Sequence, residues 1–310
     1  MGVPLVSVII ASHRPDYIGG LLTALRLNEQ SFETIAVCDY EMERLKTDFP
    51  EVFFYKINDR SISAKRNFGV SKARAEVVAF IDDDCVPSPD WVAKGLTFLS
   101  GNPACAVVEG LTAIEKVDNP PPSVREYRRL ERPGFRTNNI FYRKNVFTEV
   151  GGFDERFTVQ REDIDLAFTI LDNGHTIGHD AGICVMHRVR RKEPWDLLKN
   201  CINRRFDPLL YKKHATRYRE HIKTPFPATL LLLLFIHSVA VATLWIGVPV
   251  FVAAALVDAS AVTILTYRRG GLSRPIGEVL IEWGSCFCAP TVLFCALLYG
   301  SLRYRKLLVV

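Results

Sequence analysis

Short, mostly apolar runs alternate with amphipathic stretches over the first hundred residues. The run at 5–11 (LVSVIIA) is rich in β-branched residues and ends at a polar, proline-containing loop. Apolar runs without polar alternation are typical of parallel strands that are buried on both faces. Similar runs predict strands at 34–38, 52–55 and 76–81, and helical spacing predicts helices at 17–27, 61–73 and 90–99. The alternation indicates an α/β domain with a doubly wound, mostly parallel sheet.

The pattern after residue 100 is less regular. A helix is predicted at 162–171, followed by two short strands at 175–179 and 183–187. An amphipathic helix or pair of helices is predicted at 194–213. We therefore expect a first domain over 1–200 and a basic amphipathic linker over 201–227.

The last 87 residues have a different character. Residues 224–257 contain no Asp, Glu, Lys or Arg, and the apolar stretch 228–267 is 40 residues long. About 20 apolar residues span a membrane, so this stretch predicts a hairpin of two spans, 228–246 and 248–267, with Gly247-Val248-Pro249 at the turn. A third candidate at 283–302 contains Pro290, and it either spans or re-enters. A transmembrane region over 228–310 follows.

Charge and cysteine usage constrain partners and location. Only nine of the 73 charged residues lie in 224–310, and the first 223 residues carry a net charge of +2. A nucleic-acid-binding domain would be much more basic. Basic residues flank the hairpin on both sides, at Arg217, Arg219 and Lys223 before it and Arg268, Arg269 and Arg274 after it. By the positive-inside rule the large domain faces the cytoplasm. The eight cysteines include no C-x-x-C pair and suit a reducing compartment.

One acidic residue interrupts the hairpin. Asp258 lies near the middle of the second predicted span, where a charge is costly and is usually paired or functional. Antiparallel packing about the turn at 247–249 puts His237 opposite it. We expect these two side chains to face each other.

The candidate chemistry begins at Asp82-Asp83-Asp84, directly after the fourth predicted strand. Adjacent carboxylates repel each other, and ligands of open α/β sheets bind at the carboxyl ends of strands. A divalent cation with a phosphate oxygen would relieve the repulsion. A solvated acidic turn is the alternative.

Two further motifs follow. Glu162 and Asp163 open a predicted helix, where acids are stabilised by the helix dipole; Asp163 is also a candidate general base. His187 ends a predicted strand beside the basic run 188–192, and it becomes a metal-ligand candidate only if the fold brings it near Asp84. Near a membrane, the basic run could bind anionic headgroups.

Taken together, these segments resemble family 2 glycosyltransferases of the GT-A fold. The matching pieces are VSVIIASHRPD, Asp39, SAKRNFGVSKARAEVVAFIDDDCVPSPDW, NNIFYRKNVFTEVGGFDERF, EDIDLAF and His187. They occur in the family's order and cover roughly residues 4–200. The resemblance implies an inverting, metal-dependent transfer from a nucleotide-sugar, with a UDP-sugar favoured.

The resemblance also implies residue roles. Asp163, with Glu162 beside it, matches the catalytic base, and Asp84 and His187 match ligands of Mn²⁺ or Mg²⁺. The donor-binding positions would be Ala11, Ser12, Arg14, Asp39, Arg66, Asn67, Asp82 and Asp83. The acceptor side would include Asn139, Asp165, Arg188, Arg204 and Arg205.

The chain departs from processive members of this family. Their Q-x-x-R-W element is replaced by Cys201-Ile202-Asn203-Arg204-Arg205-Phe206, so we expect transfer of one sugar. The apolar tail suggests a lipid-linked or membrane-associated acceptor, or serves only as an anchor. The alternatives are an inactive membrane scaffold and a sugar nucleotidyltransferase, although the latter would want a glycine-rich loop after the first strand.

Overall fold

A computed structural model describes residues 2–116, 127–189, 193, 195–270 and 275–308. This part of the chain divides into two compact units. The first contains residues 2–116 and 127–189, and the second contains the described residues from 193 onward. The predicted boundaries at 200 and 227 remain predictions. Three residues of the predicted basic run, Arg190, Arg191 and Lys192, and the predicted flanking residue Arg274 lie outside the described residues.

The first unit is built on one mixed sheet. In the described residues its strands are β1 (Val6–Ser12), β2 (Phe32–Cys38), β3 (Phe53–Lys56), β4 (Val77–Ile81), β5 (Cys85–Pro87), β6 (Cys105–Ile114), β7 (Asn139–Arg143) and β8 (Thr176–His187), in the order β3-β2-β1-β4-β7-β6-β8-β5. The pairs β1–β2, β1–β4, β2–β3 and β6–β8 are parallel. The pairs β4–β7, β6–β7 and β5–β8 are antiparallel. The predicted α/β fold is confirmed.

Helices cover both faces of this sheet. They are α1 (Pro15–Leu25), α2 (Glu43–Asp48), α3 (Ile62–Lys72), α4 (Trp91–Gly101), α5 (Lys144–Glu149) and α6 (Glu162–Asp172), with a 3₁₀ turn at Arg128–Glu131. Along β1, Val8 and Ile10 join one buried cluster, whereas Ile9 joins the other. Burial on both faces explains why strands such as β1 are mostly apolar.

Two details of the predicted order were wrong. The two short strands predicted at 175–179 and 183–187 form one strand, β8. The register of its pairing with β6 shifts between Gly110 and Leu111, so the polar residues between the two predicted strands are accommodated without ending the strand. Strands β5, β6 and β7 were not predicted.

The second unit is helical. Its elements are α7 (Asp196–Asn203), a 3₁₀ turn (Arg204–Phe206), α8 (Asp207–Lys213), α9 (Ala215–His221), α10 (Ala228–Ala242), a 3₁₀ turn (Thr243–Trp245), α11 (Val248–Gly270) and α12 (Ile276–Tyr304). In the part of the chain that the structure describes, three segments are long and apolar enough to cross a membrane: Ala228–Trp245, Val248–Arg269 and Ile276–Tyr304. The third is one continuous helix of 29 residues that holds Pro290 inside it.

The paired side chains predicted in the hairpin are confirmed. His237 Nδ1 lies 2.5 Å from Asp258 Oδ1, and His237 Nε2 donates to the Phe287 carbonyl at 3.0 Å. The imidazole therefore links α10, α11 and α12. A second pair, Arg269 Nε to Glu282 Oε1 at 2.8 Å, connects α11 with α12. Pairing offsets the cost of burying these charges among apolar helices.

Candidate active site

The carboxyl ends of β1, β2 and β4 are neighbours in the sheet, which brings Ser12, Asp39 and the Asp82–Asp84 segment to one edge. Ser12 Oγ donates to Asp83 Oδ2 at 2.8 Å and lies 2.7 Å from the Tyr40 hydroxyl. Ala11 is buried in β1 just before it. These contacts fix Asp83, which is itself 3% exposed.

Arg14 neutralises two of the three adjacent carboxylates. Its Nη2 donates to Asp83 Oδ1 and, at 2.9 Å, to Asp84 Oδ2. Burial lowers the pKa of Arg14, but the neighbouring carboxylates of Asp84 and Asp83 more than offset this and hold the pKa above its ordinary value. The guanidinium therefore supplies the positive charge that the acidic triplet requires.

Asp39 belongs to a second charged cluster at the same edge. Its Oδ2 lies 3.0 Å from His13 Nδ1, and its Oδ1 lies 3.2 Å from Lys65 Nζ. Lys65 is fully buried and also donates to the Ser12 carbonyl at 2.8 Å. Burial lowers the pKa of Lys65. Partial burial raises the pKa of Asp39, but His13 and Lys65 more than offset this and hold that pKa below its ordinary value.

Arg66 connects the acidic triplet with the start of α6. Its Nη2 donates to Asp82 Oδ1 at 3.0 Å and its Nη1 to Glu162 Oε1 at 2.9 Å. Arg66 is 3% exposed, so a nearly buried cation is shared by two anions from distant parts of the chain. Glu162 Oε2, also buried, has no hydrogen-bond partner in the described residues.

Asn67, the next residue, faces a turn and the Glu155 carboxylate rather than the acidic triplet. Its amide nitrogen donates to the Phe153 carbonyl at 2.8 Å, and its oxygen accepts from the Phe153 amide at 2.9 Å. Both groups of the side chain thus hold the segment that follows Gly151-Gly152, where both glycines have positive φ.

Asp163 is a carboxyl whose surroundings disfavour its ionised form. It occupies the first turn of α6, where its Oδ1 accepts from the Ile164 amide at 2.7 Å. Burial, and then the negative charge of Glu162, raise the pKa of Asp163 to about 7. A carboxyl that titrates near neutrality is suited to accept a proton from a hydroxyl and to release it again.

The structure brings His187 to Asp84, as the metal hypothesis required. Because β5 pairs with β8, His187 Nε2 lies 3.5 Å from Asp84 Oδ1. His187 Nδ1 donates to the Arg188 carbonyl at 2.8 Å, and this bond orients the ring with Nε2 toward Asp84. Ligand atoms of Asp84, Cys85 and His187 all lie within 4.8 Å of one another.

The residues expected on the acceptor side are dispersed. The Asn139 side chain is buried, with its oxygen accepting from Trp91 Nε1 and its nitrogen donating to the carbonyls of Leu111 and Ile183. Asp165 is buried within α6. Arg188 packs over Gly20, at which a Cβ would lie 2.5 Å from its Nη2.

The other two acceptor-side candidates belong to the second unit. Arg204 Nη2 contacts Asp207 Oδ2 at 2.8 Å and the Pro225 carbonyl at 2.9 Å. Arg205 lies over the ring of Phe206, 4.7 Å from its centroid.

Sequence reasoning overlooked three polar residues of the edge. His13 lies between two predicted donor-binding residues, Tyr40 follows Asp39, and Lys65 precedes Arg66. Their adjacency to predicted site residues was the only available signal. A fully buried lysine in particular cannot be distinguished by sequence from a solvated one on a polar helix.

Comparison with known proteins agrees with this fold. Residues 7–154 match the family described as Glycosyl transferase family 2. A glucosyl-dolichyl phosphate glucuronosyltransferase of Haloferax volcanii is 28% identical over 205 residues, covering 58% of this chain and 62% of the relative. A pre-mycofactocin glycosyltransferase of Mycobacterium tuberculosis is 25% identical over 142 residues, covering 40% and 29%. The chain thus spans less than two-thirds of these relatives' length.

A solved structure extends the likeness of fold to almost the whole chain. A mannosyltransferase from Pyrobaculum calidifontis, in complex with GDP-Man and Mn²⁺, superposes with a TM-score of 0.61 at 16% identity, covering 96% of this chain and 87% of the other. The fold of this chain is therefore GT-A-like. The match to the Glycosyl transferase family 2 model covers just under half of the chain.

Proposed function

We propose that this protein is a membrane-bound, inverting glycosyltransferase that moves one sugar from a nucleotide-sugar to a hydroxyl of a lipid-linked or membrane-associated acceptor. The observation that carries the proposal is Asp163: its carboxyl has a pKa of about 7 and is tied through Glu162 and Arg66 to the acidic triplet. The family match and the named relatives support the reaction class.

The donor is assigned to the edge formed by β1, β2 and β4. Ser12 and Asp39 would meet the nucleoside, and Asp83 the ribose, with Arg14 near the diphosphate as a charge-assisted donor. The sequence resemblance favours a UDP-sugar, whereas the solved mannosyltransferase was bound to GDP-Man, so both nucleotides belong in the test.

The residues around Asp84 fit a divalent cation. A carboxylate oxygen and an oriented imidazole nitrogen 3.5 Å apart are a suitable pair of ligands. Mn²⁺ or Mg²⁺ held there would stabilise the negative charge that develops on the leaving diphosphate.

The proton transfer is assigned to Asp163. It takes the proton of the acceptor hydroxyl as the oxygen attacks the anomeric carbon opposite the leaving group. One C–O bond forms, the bond between the anomeric carbon and the phosphate oxygen breaks, and the nucleoside diphosphate leaves with the electron pair. Attack from the opposite side inverts the anomeric centre, and no covalent enzyme intermediate is needed.

The need for a base distinguishes two acceptor types. A lipid phosphate is already an anion near neutral pH, whereas a sugar hydroxyl is a poor nucleophile until a base removes its proton. A carboxyl with its pKa raised to about 7 therefore favours a hydroxyl acceptor. The name of the Haloferax relative, whose acceptor would be a glucosylated dolichyl phosphate, accords with this choice.

The three apolar helices support attachment to the membrane. We assign the first unit to the cytoplasmic side because basic residues flank the predicted hairpin on both sides. A cytoplasmic domain would have direct access to soluble nucleotide-sugars.

The experiment compares acceptors in the detergent-purified full chain. Lipid-linked monosaccharides and the matching lipid phosphates are offered with the same radiolabelled donor, using the wild type and Asp163→Asn. The proposal expects transfer to the sugar hydroxyl only, with a loss of about 10²-fold or more in the variant. Equal transfer to lipid phosphate by both proteins would exclude the assigned base. Pyrophosphate release would indicate a nucleotidyltransferase, and failure to bind any donor would indicate a scaffold.

A further inference from the structure

Cys85 adds a sulfur to the residues assigned to the cation. It is the first residue of β5 and the direct antiparallel partner of His187 in β8. Side chains of directly opposed residues lie on the same face of a sheet. The Cys85 Sγ, one oxygen of Asp84 and one ring nitrogen of His187 consequently lie within 4.8 Å of one another.

Each of the three groups is held in place. Cys85 is 1% exposed and packs in a hydrophobic cluster. The two oxygens of Asp84 have separate neighbours, because Oδ2 accepts from Arg14 while Oδ1 faces His187 Nε2. The Nδ1 of His187 donates to the Arg188 carbonyl, and such a bond orients a metal-binding imidazole.

This set of donor atoms suits a different class of cation from Mn²⁺ or Mg²⁺. Those ions prefer oxygen ligands, and the donor diphosphate would supply several of them. One thiolate, one imidazole and one carboxylate, with a fourth position open, are typical of Zn²⁺ and of the spectroscopic substitute Co²⁺.

We propose that Asp84, Cys85 and His187 form a three-ligand site for a thiophilic divalent cation of the Zn²⁺ class. On binding, the S–H bond breaks, a sulfur–metal bond forms, and the proton passes to the buffer. Because Asp84 and His187 are shared, Zn²⁺ and the cation that serves the donor exclude each other. This inhibitory consequence rests on the proposed function, whereas the binding itself does not.

The test uses the full chain in detergent after removal of metals with a chelator. Co²⁺ is titrated in the absence of donor, and thiolate-to-Co²⁺ charge-transfer absorption is recorded. The wild type is expected to give this band at one equivalent per chain, and Zn²⁺ is expected to abolish it. Cys85→Ser is expected to lose the band. Cys38→Ser is the matched control, because Cys38 is equally buried in the first unit but outside the cluster, and it should keep the band.

A second variant keeps the proposal testable if Cys85→Ser does not fold. His187→Gln keeps the thiol, and it should weaken Co²⁺ binding by at least about tenfold. Absence of the band in the wild type, or an unchanged band in folded Cys85→Ser or in His187→Gln, would overturn the proposal.

A separate arm measures donor binding with Mn²⁺. If the wild type shows the Co²⁺ band but does not bind any donor, the proposed function is refuted and the metal site is not. If the wild type binds donor with Mn²⁺, Zn²⁺ should reduce that binding in the wild type and much less in Cys85→Ser. Equal reduction in both would refute Cys85 as a ligand of the competing Zn²⁺, and no reduction in the wild type would refute the sharing of Asp84 and His187.

Discussion

Replacing Glu162 by glutamine is expected to move the acid limb of the pH–rate profile to lower pH. As a base, Asp163 must be ionised, so kcat/KM falls as the pH falls through the pKa of about 7. Glu162→Gln removes the anion that is the second cause of the raised pKa. It also leaves Arg66, which lowers the pKa of Asp163, with one anionic partner fewer.

The magnitude follows from the ordering of the causes. The pKa of Asp163 lies about 3 pH units above its ordinary value of about 3.9. Burial accounts for the larger part, so removal of the Glu162 charge is expected to lower the pKa by about 1 pH unit, or about 1.4 kcal/mol. At pH 6 the ionised fraction of Asp163 would then rise about fivefold relative to the wild type.

The assay is release of nucleoside diphosphate, with kcat/KM measured from pH 5 to pH 9 at a saturating metal concentration. Glu149→Gln is the matched control, since Glu149 lies on α5 with an exposed side chain and its loss removes the same charge. Its acid limb should coincide with that of the wild type. An acid limb near pH 4 in the wild type, or one that does not move in Glu162→Gln, would refute the reasoning.

Three further results are expected. Asp163→Asn should raise the melting temperature at pH 8, and the increase should become smaller toward pH 4. The reason is that a carboxyl whose pKa is higher in the folded chain than in the unfolded chain opposes folding once it is ionised. A lower melting temperature at pH 8 would contradict this. Arg14→Ala should bind Mn²⁺ more tightly without donor and bind donor more weakly, since its guanidinium neutralises Asp83 and Asp84; calorimetry in which both affinities fall would contradict the assignment. His237→Leu should lower the yield of folded protein in detergent by leaving Asp258 unpaired, and His237→Leu with Asp258→Leu should restore most of it; equal losses in the single and double variants would show that the pair is not coupled.

The elements predicted most accurately are those whose burial is uniform. Strands β1, β2 and β4 are mostly apolar because helices cover both faces of the sheet. Strands β6 and β7 were missed because polar residues are buried within them. Glu109 in β6 accepts hydrogen bonds from the backbone of Gly134, Phe135 and Arg136, and Asn139 begins β7. Such partners lie 25 or more residues away, so no local sequence pattern predicts them.

In the site, too, the features with a local sequence signal were predicted and those that depend on distant residues were not. The position of Asp82–Asp84 after a buried strand was sufficient to predict an acidic edge, and the hairpin turn was sufficient to pair His237 with Asp258. The link from Arg66 to Glu162 joins residues 96 positions apart. It depends on how α3 and α6 are placed by the sheet, and this cannot be read from the order of residues alone.

The most direct test of the central claim is release of nucleoside diphosphate from a panel of UDP-, GDP- and dTDP-sugars, with and without Mn²⁺ or Mg²⁺. The full chain in detergent is assayed with a lipid extract as acceptor, beside Asp84→Asn and Asp163→Asn. We expect metal-dependent release from one donor, with both variants inactive and Asp163→Asn still binding that donor. Metal-independent release, or release that survives in Asp163→Asn, would contradict the account.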